Sequence, residues 1–340
     1  MSKIKSSLIV MTFALLILAS CSKKQEESAS LNIPKAEKTY VTNAILNLGF
    51  STNMQDPRAL ASILFRDEVE KNTQGRITIN IHPDGSLGSD SQLIEGLMKN
   101  TVDMTVSSAG NFAVYATKVG ISAMPFLFSD FEEAWSFMDS PLISEVNKTL
   151  EDFGIVVLSH YDNGFRCVTT TNKAINKVED MNGLNIRTPP NQIVMETMLA
   201  LGALPKPYAF NELKQALKDG IFDSQENPIP VIYNSKLYEE QKYLSITNHS
   251  YDAMPLAIRK ELWDSLSPED QEILLQAAKK AQDLDRKLVQ EQTKSYVSKL
   301  KEAGMIITNP DLAEFKKATS SVMDVFSEIY GQDLLEKLPQ

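Results

Sequence analysis

From Glu269 to Ala303 the chain carries no proline and no glycine; the first breaker is Gly304. Ser267 stands at the N-cap position, Pro268 takes the first helical position, and Glu269 and Asp270 follow where a helix end is electropositive. At 1.5 Å per residue this predicts one helix on the order of 50 Å long, longer than a small lobe is wide. Leu274, Ala277, Ala281, Leu284 and Leu288 keep a three-to-four spacing; the polar segment QEQTKS then interrupts it, and Tyr296, Val297 and Leu300 resume on a shifted face. Such a stripe predicts two halves packed on two different lobes, with a solvated crossing at residues 289–295. The alternative, a turn hidden in the polar segment, has no Gly or Pro to mark it.

Ahead of that helix the apolar pattern alternates between periods of two and of 3.6. YVTNAILNLGF reads as a strand, DPRALASILFRDEVEKNTQG as an amphipathic helix, and RITINIHP as a strand that alternates Ile77, Ile79 and Ile81 with polar residues. SDSQLIEGLMKNT and VDMTVSS add a helix and a strand, and strands at GIVVLSHY, CVTTT and LNIRT repeat the alternation further on. The pattern is that of an α/β protein with a largely parallel sheet. A chain of 340 residues, 43% of them hydrophobic, has material for two cores. The expected division gives residues 39–163 and 252–292 to one lobe and 164–251 and 293–340 to the other.

The N-terminus places Lys3 and Lys5 before an apolar run, Leu8–Ala19, that falls short of the ~20 residues of a membrane-spanning helix. It reads as a signal peptide over residues 1–20. Leu18-Ala19-Ser20-Cys21 resembles a bacterial lipobox, which implies an acylated Cys21 and a membrane anchor through lipid. Residues 21–38 are polar enough to serve as a flexible, lipid-attached tether. The expected location is extracytoplasmic, in the periplasm or at the outer face of the cell membrane. The other cysteine, Cys167, has no partner for an internal disulfide and reads as a buried structural thiol.

A formal charge of −10 argues against a nucleic-acid partner, since phosphate binding relies on clustered cations. Signals for catalysis are sparse. His82, His160 and His249 do not form a metal-ligand pair by spacing, and the chain has no HExxH, GxSxG, P-loop or GxGxxG, so neither metal nor cofactor is expected. DGSLGSD reads as a turn before a helix. For Asp90, Glu95 and Glu226, spacing fixes no acid–base partner. Recognition has better candidates: Arg166 in DNGFRCVTT and Arg187 in LNIRTPPN each stand at a short strand, and a guanidinium presents a planar donor fork matched to a carboxylate. DSQENP brings Gln225, Glu226 and Asn227 to another strand end, as amides that can orient hydroxyls or simply as a polar turn.

GSLGSDSQLIEGLMKNTVDMTVSSAGNFA, MPFLFSDFEEAW, YDNGFR, INKVEDMNGLNIRTPPN, LGALPKPYAFNELKQALKDGIFDSQENP, SKLYEEQKYLSIT and LWDSLSPEDQEILLQAA are similar to recurring blocks of the DctP family, the solute-binding proteins of TRAP transporters. The likeness runs from about residue 45 to 330, in the family's order. It implies a two-lobe, periplasmic-binding-protein-like α/β fold with a hinge cleft, a long helix spanning both lobes, and an organic acid handed to TRAP membrane permease subunits rather than chemically changed. It further implies that Arg187 is the main carboxylate clamp, that Arg166 assists it, and that Asn227 contacts the ligand. Asp90, Ser108 and Asn111 match positions that face the cleft, and Phe210 matches an apolar wall. Sialate-binding members carry a glutamate where this chain has Ser108, so the resemblance is nearer to members that take sugar acids. A hexuronate such as glucuronate or galacturonate is the expected ligand, with its hydroxyls on Asn111, Asn227, Asp90 and Gln225. Keto-gulonate, sialic acid or a C4-dicarboxylate in the same role, or an exported sugar-acid enzyme, are the alternatives.

Overall fold

The computed structural model describes residues 39–339; the expected signal peptide, Cys21 and the tether lie outside the described residues. Nine strands are described, in chain order β1 (Ala44–Gly49), β2 (Ile77–His82), β3 (Met104–Val106), β4 (Ile155–Thr170), β5 (Asn185–Thr188), β6 (Leu204–Pro207), β7 (Ser224–Pro228), β8 (Tyr243–Arg259) and β9 (Ile306–Thr308). They form one mixed sheet in the order β2-β1-β3-β8-β4-β7-β5-β6, with β9 against β8. β1 runs parallel to β2 and β3, and β5 parallel to β6 and β7; β4 and β8 run antiparallel to each other through the middle.

The parallel segments follow from the alternation in the sequence. Between β1 and β2 the helix Pro57–Asn72 starts on an Asp56 cap, with Pro57 in its first turn, and buries Ala61, Phe65 and Val69 against Leu46, Leu48, Ile77 and Ile79. Between β2 and β3 the helix Asp90–Met98 starts on a reciprocal capping box of Ser89 and Gln92.

The centre departs from the pattern. GIVVLSHY and CVTTT, expected as separate strands, are the two ends of β4. The Asp-Asn-Gly between them looks like a turn, yet it stays paired with β8 through register shifts at Val157/Ser159, Asp162/Gly164 and Arg166/Val168. Gly164, at φ +104°, supplies the conformation that one of these irregularities needs. A long partner strand thus overrides a local turn signal.

β4 and β8 run from one core to another. Tyr161, Met254 and Leu256 belong to the cluster around Leu46 and Phe65, whereas Cys167 and Leu244 belong to the cluster around Leu213 and Leu237. The helix Pro268–Glu302 follows them without a break. Leu274, Ala277 and Ala281 pack in the first cluster and Tyr296, Val297 and Leu300 in the second; Leu284 and Leu288, expected on the same stripe, stay half-buried outside both, and Val289, expected in the solvated crossing, is buried. Each large apolar side chain buried at either end stabilises the arrangement by about 1.5–3 kcal/mol. Before the crossing, side chains of this helix bond the middle of β4, where its register shifts: Gln282 Oε1 accepts from His160 N at 3.0 Å and Asp285 Oδ2 accepts from Asp162 N at 2.6 Å. Near the C-terminus Val322, Phe326 and Tyr330 pack with Leu93, Phe112 and Phe137, and Ile193 and Val194 join the same cluster.

Candidate functional site

A narrow cavity of about 30 Å3 opens where the C-terminal ends of β1 and β5 face the middle of β4 and β8, and Asp90, Ser108, Asn111, Arg166, Arg187, Phe210 and Asn227 all line it. An adjoining chamber of about 230 Å3 shares Asp90, Asn111, Arg187, Pro189 and Phe210 with it.

One wall comes from segments that follow β1 and β3. Asp90, the first residue of its helix, accepts from Ser51 Oγ at 3.0 and 2.9 Å and from Ser107 Oγ at 3.1 Å. Burial pushes its carboxyl pKa up, against the pull of Arg58 and the two serine hydroxyls. Ser108 caps the short helix Ala109–Phe112 and donates to Asp252 Oδ1 at 2.6 Å, so its hydroxyl is already committed. Asn111 is buried, and its Oδ1 has no hydrogen-bond partner among the described residues. An orphaned buried acceptor costs about 1–3 kcal/mol unless a donor arrives.

The opposite wall holds the two expected arginines, and their surroundings differ. Arg166 lies inside β4, not at a strand end, and is fully engaged. Its Nε and Nη2 fork grips Glu226, with Nη2 to Oε1 at 2.8 Å; Nη1 donates to Asp252 Oδ2 at 2.6 Å, and Nη2 also reaches Asn227 Oδ1 at 3.2 Å. Burial works against this guanidinium's charge, but Glu226 and Asp252 outweigh it and push its pKa up. Burial likewise opposes ionisation of Glu226, and Arg166 together with His249 outweighs it, holding that carboxyl below its usual range.

Arg187 is 3% exposed and meets no carboxylate at ion-pair distance among the described residues. Nε and Nη2 donate to Tyr208 O at 2.9 and 2.6 Å, the guanidinium stands 5.9 Å from the Phe210 ring centre, and Nη1 makes no hydrogen bond among the described residues. Burial, then the neighbouring Arg166, lowers its pKa to about 10, partly offset by Glu226, Asp90 and Asp252. It remains charged near neutrality, and an unmatched buried charge costs several kcal/mol. β5 ends at Thr188 because Pro189 and Pro190 cannot continue it; Asn191 then caps the helix Gln192–Ala200, leaving Arg187 fixed at the cavity's edge.

Gln225 does not line the cavity. It sits behind Asn227 on β7, accepts from Asn227 Nδ2 at 2.5 Å and donates to Thr169 Oγ1 at 2.6 Å, so it orients the amide that does. Sequence reasoning missed Arg58, Asn163 and Asp252. Arg58 donates to Asp56 Oδ1 at 3.1 Å and to Asn163 Oδ1 at 3.2 Å; Asn163 donates to Asp252 Oδ2 at 2.8 Å. Asp56-Pro57-Arg58 reads in sequence only as a helix start, and Asp252 joins the site through its register opposite Gly164 on β4. Val231 and Met254 complete the apolar part of the wall.

The sequence profile of bacterial extracellular solute-binding protein family 7, DctP, matches residues 49–329. The 2,3-diketo-L-gulonate-binding periplasmic protein of Escherichia coli is 33% identical over 299 residues, covering 87% of this chain and 91% of that protein. A TRAP periplasmic solute-binding protein from Polaromonas sp. JS666, bound to D-erythronate, superposes with a TM-score of 0.84 at 34% identity over 86% of this chain and 97% of that one. Another from Sulfitobacter sp. NAS-14.1, with bound β-D-galacturonate, gives 0.82 at 28% identity over 86% and 97%.

Proposed function

This chain belongs to the DctP family of bacterial extracellular solute-binding proteins, and on that premise we propose that it captures a sugar acid with a single carboxylate by closing its cleft on Arg187. A hexuronate such as galacturonate or glucuronate is the favoured guest. The observation that carries this reading is Arg187, a buried, charged guanidinium with no internal carboxylate partner. The other two arginines of the cavity are already matched, Arg58 by Asp56 and Arg166 by Glu226 and Asp252. One unmatched positive group supports one carboxylate on the guest, and Asp90 opposite would repel a second. Asn111 Oδ1, Asp90 and Asn227 supply polar contacts for hydroxyls, and Phe210 with Met254 supplies an apolar face for the sugar's C–H groups. The relatives' sugar-acid ligands support the same class.

No bond is made or broken in this scheme. The guest bridges the Asp90 and Asn111 wall to the Arg187 wall, and because both walls reach it together only when the cleft is shut, it favours the closed state. Charged hydrogen bonds of about 1.5–3 kcal/mol each, with hydroxyl contacts and after ordering losses, suffice for the ~−8 kcal/mol of a micromolar binder. The lobe division at residues 163/164, 251/252 and 292/293, with β4, β8 and the long helix as hinge, belongs to the same proposal. So do delivery to a TRAP permease and attachment through lipid on Cys21; loss of fatty-acid labelling in Cys21→Ser tests the latter.

Calorimetry with D-galacturonate, D-glucuronate, D-galactonate, succinate and N-acetylneuraminate tests the ligand class. Micromolar binding confined to the first three is expected. Tighter binding of succinate, or turnover of any of these acids, would refute the proposal.

A further inference from the structure

The segments Ser108–Asn111 and Arg187–Asn191 bring cavity residues from opposite walls, and they touch at Gly110. A Cβ built on Gly110 would stand 2.6 Å from Cγ and 2.7 Å from Cβ of Asn191, and closer still to its Nδ2. Gly110 is not among the residues with positive φ, so its backbone does not call for glycine; only the space beside Asn191 does. Asn191 cannot easily give way. It is 2% exposed, its Oδ1 accepts from Ile193 N at 3.0 Å and Val194 N at 3.3 Å as the cap of its helix, and its backbone N donates to Pro189 O at 2.8 Å. Two prolines fix the backbone just before it. The contact therefore joins two stiff segments, one carrying Asn111 and the other Arg187.

We propose that Gly110 is a positioning residue for ligand capture. Its bare backbone lets the Asn191 segment come to rest against the Ser108–Asn111 segment, and that contact sets how near Asn111 and Asp90 approach Arg187 across the cavity. A side chain at position 110 props the two walls apart in the closed state and leaves the open state undisturbed. The role rests on the capture reading above, because it needs the two walls to separate and meet.

The test compares wild type, Gly110→Ala, Gly110→Val, Asn191→Gly and the double variant Gly110→Ala with Asn191→Gly. D-galacturonate, D-glucuronate and D-galactonate serve as probes, with dissociation constants from calorimetry, ligand-free melting temperatures, and radius of gyration with and without acid. Gly110→Ala is expected to weaken binding about 10-fold and Gly110→Val about 100-fold, the range that overpacking of a close contact produces. Ligand-free melting temperatures stay at the wild-type value, and the compaction on adding acid shrinks in step with affinity. Asn191→Gly removes all three crowding atoms at the cost of a slightly weaker cap, so the double variant recovers most of the affinity lost by Gly110→Ala. Unchanged affinity in Gly110→Val overturns the positioning role. So does a lowered ligand-free melting temperature in Gly110→Ala that Asn191→Gly restores, because the contact then serves the fold rather than closure. If no acid binds or compacts the wild type, the capture reading falls and takes this role with it.

Discussion

Arg166 and Arg187 line the same cavity, and the surroundings of each assign it a different job. Arg166 sits mid-strand on β4, where β7 brings Glu226 and β8 brings Asp252 to it, so its charge is matched within the chain. Arg187 sits at the end of a four-residue strand between two prolines and a backbone carbonyl, and its charge is matched by nothing the described residues provide. A buried ion pair that is internally complete ties strands together; a buried ion that is incomplete is stable only in a scaffold that other contacts hold, and it gains most when an anion arrives. The difference separates an arginine that ties the strands around the cavity together from one whose charge no described residue matches.

The largest expected effect breaks the comparison from the structural side. Arg166→Ala leaves Glu226 and Asp252 buried without a counter-charge and should cost about 3–5 kcal/mol, a fall of roughly 10 °C in melting temperature, whether or not an acid is present. Differential scanning calorimetry checks this; an equally stable variant would mean that the triad contributes nothing to the fold. Arg187→Ala should do the reverse. It is expected to weaken acid binding at least about 100-fold without lowering the ligand-free melting temperature, because the unmatched buried charge is removed with it. Arg187→Lys should rescue little, since an ammonium cannot supply the fork that calorimetry would register. Undiminished affinity in Arg187→Ala would end the clamp assignment.

Acid titration sharpens the contrast. The pKa of Glu226 is held below its usual value of 4.5, so its contribution to stability is fully present above about that pH and is lost as pH falls through the lower folded value. Denaturant melts between pH 6 and 3 should show a loss in wild type that Glu226→Gln flattens from an already lower starting stability. The smallest effect belongs to Asn111. Asn111→Ala removes an acceptor with no internal partner, so binding of a hydroxylated acid should weaken by about 1 kcal/mol, roughly fivefold, with no penalty in the ligand-free protein. A large drop in ligand-free stability would place Asn111 with Arg166 rather than with Arg187.

Much of the fold was legible because it rests on local periodicity. The breaker-free run after Pro268 forms one helix to Glu302, and its interrupted stripe divides between two cores as the spacing of Leu274, Ala281, Tyr296 and Leu300 requires. β4 was not legible as one strand, because Asp-Asn-Gly carries a turn signal that only pairing with β8 suppresses. In the cavity, Asp90, Ser108, Asn111, Arg187, Phe210 and Asn227 stand in recognisable segments, whereas Arg58, Asn163 and Asp252 are brought in by a helix start and by strand register, which leave no motif behind. Gln225 looked equivalent to Asn227 in the string SQENP; one step further back along β7, it reaches Thr169 and not the cavity.

By itself the sequence determined the class of fold, the family, the spanning helix and the two candidate arginines, because each depends on residue type and spacing along the chain. Only the tertiary structure decided which arginine is spent and which is available, because that depends on whether a carboxylate from another strand lies within hydrogen-bonding reach. Register across β4, β7 and β8 brings Glu226 and Asp252 to Arg166 and leaves Arg187 without either, and no pattern along the chain encodes a distance between strands.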